Sequence, residues 1–155
     1  MSSSPEQRLA DLGITLPTPA APVANYVGTV RSGNLLIMSG QLCFGGDGKL
    51  SATGKLGAGV STEDGKAAAR NCAINVIAQI KAAVGSLDKV VRVVRLGGFI
   101  AATAEFTQHP AVMNGASDLM VEVFGDKGRH ARSTVGVPSL PLDSAVEVEA
   151  LIEVA

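Results

Sequence analysis

Two stretches of the chain repeat apolar residues at the three- and four-residue steps of an amphipathic helix. The first stretch runs between Ser61 and Gly85, and its apolar stripe is Ala69, Cys72, Ala73, Val76, Ile77, Ile80 and Val84. The second runs between Pro110 and Gly125, and its stripe is Val112, Ala116, Leu119, Met120, Val123 and Phe124. A capping serine, a proline in the first turn and a terminal glycine are typical helix boundaries. The pattern therefore predicts two long helices.

Two β-like runs come before the first helix. Residues 26–31 and 35–39 are rich in Val, Leu and Ile, and Ser32-Gly33-Asn34 lies between them. A short polar segment with glycine between two such runs is typical of a hairpin. Glycines then recur over 45–59, which predicts a surface loop or a lid.

Three later segments have the pattern of strands. Residues 87–102 and 133–137 are rich in branched apolar side chains, as in half-buried strands. Residues 146–154 alternate strictly between apolar and polar residues. Because successive side chains of a strand point to opposite faces, Glu147 and Glu149 should share one face of the sheet.

The N-terminal segment has a different character. Ser4 and Pro5 can start a short helix that Gly13 can end, and three prolines within 16–22 rule out a regular ladder there. We therefore expect a short helix and a proline-rich arm over 1–25, and a single domain over 26–155.

The predicted order of elements is two strands, a helix, a strand, a helix and two strands. This order predicts an α+β fold with a mixed sheet. Two helices can cover only one face of such a sheet. The other face then needs a partner, so we expect the chain to form an oligomer.

Composition narrows the classes of function. Of 155 residues 46% are hydrophobic and 17% charged, enough apolar material for one core. Thirteen basic and 14 acidic residues, few aromatics and no tryptophan disfavour nucleic acid as a partner. No apolar run is long enough to span a bilayer, and no signal sequence is recognisable, so we expect a cytoplasmic protein without a membrane partner.

Several common site motifs do not fit the chain. Cys43 and Cys72 lack the spacing of a metal site, so we expect reduced, buried cysteines and no metal. The glycine-rich loop lacks the ending of a phosphate loop. His109 precedes a proline at a helix start and His130 lies in a turn, so we expect surface or capping roles for both.

Three segments of the chain resemble the reactive intermediate deaminase (Rid, or YjgF-like) family. The first is Tyr26 followed by residues 33–41, which end in Ser-Gly-Gln; the second is the first long helix with the strand after it. The third and most specific is an arginine strand beginning Ala131-Arg132, a proline turn at Leu140-Pro141, and a glutamate strand at 146–150. The resemblance covers nearly everything after Tyr26.

The resemblance implies a chorismate-mutase-like fold and a homotrimer with sites in the clefts between subunits. Arg132 would anchor the carboxylate of a small ligand, a role that suits the planar guanidinium fork. Glu147 would hold or activate the attacking water. Tyr26 would close the pocket from the neighbouring subunit, and Ser39 and Gly40 would line it.

By the same resemblance, the reaction converts 2-aminoacrylate or a related imino acid, with water, to a 2-oxo acid and ammonia. No metal or organic cofactor is implied, because a protonated imine is already electrophilic. Two alternatives stay open: a regulatory trimer that binds small carboxylates without turnover, and an endoribonuclease or translation inhibitor, an activity attributed to the family.

The chain departs from the family around the pocket. Arg129-His130 stands where many members have Phe-Pro, and Thr134, which we count among the substrate-binding residues, stands where many have cysteine. The segment over 45–59 is also long. A pocket asparagine of the second helix could correspond to Asn114 or to Ser117. Each candidate also has a structural alternative: Arg132 in an interface ion pair, Glu147 on a solvated strand face, and Tyr26 packed within the sheet.

Overall fold

A five-stranded mixed sheet and two long helices make up the fold in a computed structural model, which describes residues 2–19, 21–22 and 24–155. The α-helices are α1 (Pro5–Asp11), α2 (Thr62–Val84) and α3 (His109–Phe124). The strands are β1 (Thr29–Ser32), β2 (Leu35–Leu42), β3 (Lys55–Leu56), β4 (Gly59–Val60), β5 (Val90–Ala101), β6 (Ala131–Val137) and β7 (Val146–Val154). The order in the large sheet is β1-β2-β7-β5-β6, and only β5 and β6 are parallel.

The two long helices begin and end as predicted, to within one residue. Ser61 Oγ accepts a hydrogen bond from the backbone N–H of Asp64 at 3.1 Å, which satisfies one free donor of the first turn. Gly85 ends α2 with a φ of +82°, a left-handed conformation that favours glycine. Pro110 lies in the first turn of α3, and Gly125 ends that helix.

Both long helices cover the same face of the sheet. The apolar side chains of β7 alternate onto this face, and Val146, Val148 and Ile152 are fully buried beneath the helices. The prediction of an α+β mixed sheet with two helices on one face is confirmed. We call this side the helix face and the opposite side the open face.

The open face carries exposed apolar side chains on four strands. These residues alternate with the buried residues of the helix face. Their exposed fractions lie between 40% and 52%, and the residues are Val30, Leu35, Ile37, Val91 and Val135.

The other predicted elements differ from the structure mainly at their ends. The hairpin is confirmed, with a turn at Gly33 and Asn34, but its first strand begins only at Thr29, so Tyr26 precedes it. The predicted strand over 87–102 starts at Val90, because Leu87–Lys89 form a 3-10 turn capped by Ser86. The strand predicted over 133–137 begins earlier, at Ala131.

The glycine-rich segment is more ordered than predicted. Within it β3 and β4 form a small parallel pair, and Leu56 is fully buried and bridges to Ala102 next to β5. The prediction of a surface loop or lid is therefore wrong for residues 55–60. The turn between β3 and β4 needs glycine, because Gly57 and Gly59 both have positive φ.

The N-terminal helix is attached to the rest of the fold. Leu9 is buried in the core. The Glu6 carboxylate accepts hydrogen bonds from Lys81 Nζ at 3.0 Å and from the backbone N–H of Leu87 at 2.8 Å. The arm that follows has no regular structure in its described residues; Ala20, within the predicted arm, and Val23 lie outside the described residues.

Cys43 and Cys72 are buried and free, as predicted. Cys43 Sγ lies 3.1 Å from Ser144 Oγ, and Cys72 Sγ lies 3.4 Å from the carbonyl oxygen of Val146. Burial raises the pKa of the Cys72 thiol. These contacts hold the end of β2 and the middle of α2 against the start of β7. None of the helices that the structure describes is both long and apolar enough to cross a bilayer.

Candidate functional site

Arg132 is held by two residues of α3. Its Nη1 donates hydrogen bonds to Asn114 Oδ1 at 2.8 Å and to Ser117 Oγ at 3.1 Å. The sequence left open which of these two residues faces the site. The structure places both in contact with the arginine, one helical turn apart. The guanidinium is therefore held in one orientation by two neutral oxygen atoms.

Arg132 has no carboxylate partner within residues 2–19, 21–22 and 24–155. The salt bridges there involve other basic residues, and the pairs are Arg70–Glu122, Lys81–Glu6, Arg95–Glu149 and Arg129–Asp126. A partly buried guanidinium without an anion is costly. Within the described part of the chain no carboxylate neutralises the charge of Arg132, so the anion would come from a ligand or from another molecule.

His130 continues the hydrogen-bond network behind Arg132. Its Nε2 lies 2.8 Å from Ser117 Oγ, and its Nδ1 lies 2.6 Å from the carbonyl oxygen of Gly128. A carbonyl can only accept, so Nδ1 carries a hydrogen, and in the neutral ring Nε2 then accepts from the Ser117 hydroxyl. His130 therefore has more than the predicted surface or capping role. His109 lies at the start of α3, as predicted, with its ring against Phe106.

Thr134 shares the helix face with Arg132. The two residues are two positions apart on β6 and pair with Gly98 and Leu96 of β5. The Oγ1 atom of Thr134 is buried and has no hydrogen-bond partner among the described residues. A buried hydroxyl without a partner is uncommon in native proteins. We call Arg132, Thr134, Asn114, Ser117 and His130 the arginine half-site.

Glu147 lies on the open face. It pairs with Phe99 of β5, three positions from the fully buried Leu96, so it points to the opposite side of the sheet. The carboxylate is half-buried against Gly40, where an added Cβ atom would overlap it. Burial, and secondarily the nearby charge of Glu149, raise the pKa of Glu147. A carboxylate whose pKa is raised is a stronger base than an ordinary carboxylate.

Arg132 and Glu147 do not meet within one chain. Their strands, β6 and β7, lie on either side of β5, which separates them by about 10 Å across the sheet. Arg132 pairs with Leu96 and Glu147 pairs with Phe99, so the two residues are also three positions, or about 10 Å, apart along the strands. Their side chains point to opposite faces of the sheet. A small molecule therefore cannot contact both in a single chain.

Two further predicted site residues, Ser39 and Gly40, lie on β2, which pairs with β7 on the side away from β5, and a third, Tyr26, precedes β1. Ser39 Oγ donates to the carbonyl oxygen of Val27 at 2.6 Å, and a register irregularity brings Gly40 beside Glu147. Tyr26 is 60% exposed, so the alternative that it packs within the sheet is wrong. We call Glu147, Gly40, Ser39 and Tyr26 the glutamate half-site.

A cleft of about 700 Å³ adjoins the glutamate half-site. We call it the arm cleft. It is lined by residues 17–19, 21–22, Tyr26, Gly28, 39–42, 44–46, Gly48, Asn75, Ala78, Gln79 and 141–142. No charged side chain is among them, and neither Arg132 nor Glu147 lines it. Within the described residues, no group of three or more His, Cys, Asp or Glu side chains could hold a metal ion.

Comparison with known proteins identifies relatives of this chain. The family described as "YjgF/chorismate_mutase-like, putative endoribonuclease" matches residues 6–154. Protein TCP17 of Trypanosoma cruzi is 51% identical over 146 residues, which are 94% of this chain and 91% of TCP17.

Solved structures agree with this match. Atu1372 of Agrobacterium tumefaciens, a protein of unknown function, is 46% identical, with a TM-score of 0.92 over 97% of this chain and 92% of its own. RidA from an Antarctic Psychrobacter is 28% identical, with a TM-score of 0.61 over 88% of this chain and 94% of its own. The resemblance of the arginine strand, the proline turn and the glutamate strand is thereby confirmed: the chain belongs to the Rid/YjgF family, with its chorismate-mutase-like fold.

Proposed function

We propose that the protein hydrolyses small 2-imino acids to 2-oxo acids and ammonia, in clefts between the subunits of a homotrimer. The observation that carries the proposal is the state of Arg132. Its guanidinium is fixed by Asn114 and Ser117 and lacks a carboxylate partner among the described residues.

The geometry of Arg132 suits a carboxylate ligand. A guanidinium has five N–H donors, and Nη1 directs its two towards Asn114 and Ser117. The donors of Nε and Nη2 then form the side-on fork that binds both oxygens of a carboxylate. Thr134 lies on the same face, but its hydroxyl oxygen is buried in the single chain.

Glu147 supplies the proton transfer of the reaction. The carboxylate takes a proton from a water molecule as the water oxygen bonds to the imine carbon. The C=N π electrons pass to the nitrogen of the protonated imine, and Glu147 then returns its proton to the amino nitrogen of the tetrahedral adduct. The carbon–nitrogen bond breaks with its electron pair leaving on ammonia, and the hydroxyl group of the adduct loses its proton to the released ammonia and becomes the carbonyl group. The raised pKa of Glu147 makes it a stronger base towards the water molecule than an ordinary carboxylate.

Two chains are needed for one complete cleft. Arg132 and Glu147 lie on opposite faces and on different strands, so the arginine half-site of one subunit must face the glutamate half-site of another. The exposed apolar side chains of the open face, among them Ile37, Val91 and Val135, provide a surface for such packing. Threefold symmetry closes this head-to-tail contact into a ring.

A subunit-mixing experiment tests the proposal. Arg132→Ala and Glu147→Gln proteins are each expected to release little ammonia from freshly generated 2-aminoacrylate. When the two are unfolded together and refolded as mixed trimers, about a quarter of the clefts regain both residues, and activity should return to about that fraction. Mixed trimers without activity would refute the shared cleft. A wild-type protein that binds pyruvate but releases no ammonia would support the non-catalytic alternative.

A further inference from the structure

Ser117 contacts a second side chain besides that of Arg132. His130 Nε2 lies 2.8 Å from the same hydroxyl oxygen that accepts a hydrogen bond from Arg132 Nη1. We propose that His130 is a positioning residue for Arg132 and that it acts through Ser117. The effect of His130 on ligand binding rests on the proposed function, whereas its effect on the orientation of Arg132 does not.

The hydroxyl group of Ser117 can serve both partners at once. It has one hydrogen to donate and two lone pairs that accept. The bond from Arg132 uses a lone pair, so the hydrogen is free to be donated to His130 Nε2 when the ring is neutral. Because the donated hydrogen fixes the rotation of the hydroxyl, a lone pair stays directed at the guanidinium.

The ring of His130 is fixed from its other side. Its Nδ1 lies 2.6 Å from the carbonyl oxygen of Gly128, which can only accept, so Nδ1 carries a hydrogen. In the neutral ring the second nitrogen then has a lone pair. The bond to Gly128 thus selects the tautomer that can accept from Ser117.

Gly128 is in turn fixed against α3. It is buried, and an added Cβ atom would overlap the carbonyl oxygen of Met120, so no larger residue fits there. Ser117 lies on the same helix, three residues before Met120. His130 therefore connects two groups whose separation is set by one rigid helix. This arrangement holds the imidazole at a constant distance from the Ser117 hydroxyl.

The same contacts exclude a role for His130 as a catalytic base. One ring nitrogen is engaged by the Gly128 carbonyl and the other by the Ser117 hydroxyl. In this arrangement neither nitrogen is free to take a proton from water or from a ligand. His130 acts on the site through Ser117 and not by contact with the reacting atoms.

Replacing His130 should weaken the site only in part, because Asn114 still accepts from Arg132 Nη1. His130→Phe keeps a planar ring without an acceptor and should raise the dissociation constant for pyruvate about three- to tenfold, as expected for loss of one neutral hydrogen bond. His130→Gln can place a carbonyl oxygen near Ser117 and should restore most of the affinity. His109→Phe makes the same change at the only other histidine of the chain and is the matched control, with unchanged affinity.

A double-mutant cycle tests whether the effect passes through Ser117. Ser117→Ala removes the group on which His130 acts. Adding His130→Phe to that variant should therefore weaken pyruvate binding no further. If the two losses add, His130 acts by another route and the proposal is wrong.

Nitrogen NMR gives two readouts that need no ligand. At a pH where the ring is neutral, His130 should show a hydrogen on Nδ1 and none on Nε2, and in His109→Phe its signals are the only histidine signals of the chain. A guanidinium that is held in place gives separate signals for its two Nη atoms. His130→Phe should make the two Nη signals of Arg132 exchange faster than in the wild type. An Nε2–H tautomer, or equal exchange rates, would overturn the proposal.

Failure of this proposal and failure of the proposed function give different results. If wild type and His130→Phe bind pyruvate equally well, His130 does not position Arg132, and Arg132 remains the carboxylate anchor. If the wild type binds no pyruvate, the proposed function fails at its anchor. The tautomer of His130 and the exchange rate of the Arg132 signals then still decide whether His130 positions the guanidinium.

Discussion

Replacing Arg132 with lysine keeps the positive charge but removes the planar fork. An ammonium group cannot form two parallel bonds to a carboxylate, and it cannot donate to Asn114 and Ser117 in the same geometry. The variant therefore tests whether Arg132 acts by shape as well as by charge.

The expected loss follows from the bonds involved. A hydrogen bond to a charged group contributes about 1.5–3 kcal/mol, and the lysine loses at least one such bond to the ligand. At about 1.4 kcal/mol for each tenfold change, the dissociation constant for pyruvate should rise about 10- to 150-fold. The fold should lose less, because the bonds from Nη1 end on neutral acceptors and Arg132 is only partly buried. A change of about 1 kcal/mol would shift Tm by about 2–4 °C.

Calorimetric titration with pyruvate, a melting curve and sedimentation of the same sample provide the three readouts. Weaker binding with an intact oligomer and a nearly unchanged Tm is the expected combination. If the variant dissociates into smaller species, Arg132 belongs to a subunit interface and its role as carboxylate anchor is wrong.

Four other outcomes are expected. Glu147→Gln should keep pyruvate binding but slow single-turnover hydrolysis about 10²- to 10⁴-fold, and an unchanged rate would leave Glu147 as an ordinary surface residue. Burial raises the pKa of Glu147 above its ordinary 4.5, so the folded state retains this proton to higher pH than the unfolded chain. The free energy of unfolding should therefore fall as pH rises from about 4.5 through the pKa of the folded state. Denaturation of the Glu147→Gln variant should lack this part of the pH dependence. Thr134→Val should raise stability by about 1 kcal/mol by removing an unpaired buried hydroxyl, whereas a lower Tm would reveal a partner for it. Sedimentation should give three times the chain mass of 15.7 kDa, and a mass of one or two chains at micromolar concentration would contradict the homotrimer.

The helices and the last strand could be predicted because their signals are local. Ser61 and Gly85 mark the ends of α2 by their own backbone chemistry, and the alternation within Val146–Val154 is a property of that segment alone. By contrast, β3 and β4 are two residues each, too short for any periodicity, and they exist because Leu56 is buried against the chain beside β5.

The sequence could indicate candidate site residues but not their arrangement in space. The motif indicated both Arg132 and Glu147, yet their faces depend on the pairing of β6 and β7 with β5, which no pattern within either strand contains. The role of His130 depends on a hydrogen bond to Ser117 across 13 positions. The available signal was a polar residue, Asn114 or Ser117, on the turn of α3 that faces the arginine strand. The sequence did not decide between the two.

The placement of the two half-sites on opposite faces has a consequence for mixed populations of subunits. In the proposed ring each chain gives its arginine to one cleft and its glutamate to another. A chain that lacks only Arg132 damages one cleft of its ring, whereas a chain that lacks both Arg132 and Glu147 damages two. A doubly defective allele would therefore be more dominant than either single one when it is expressed beside the wild-type chain.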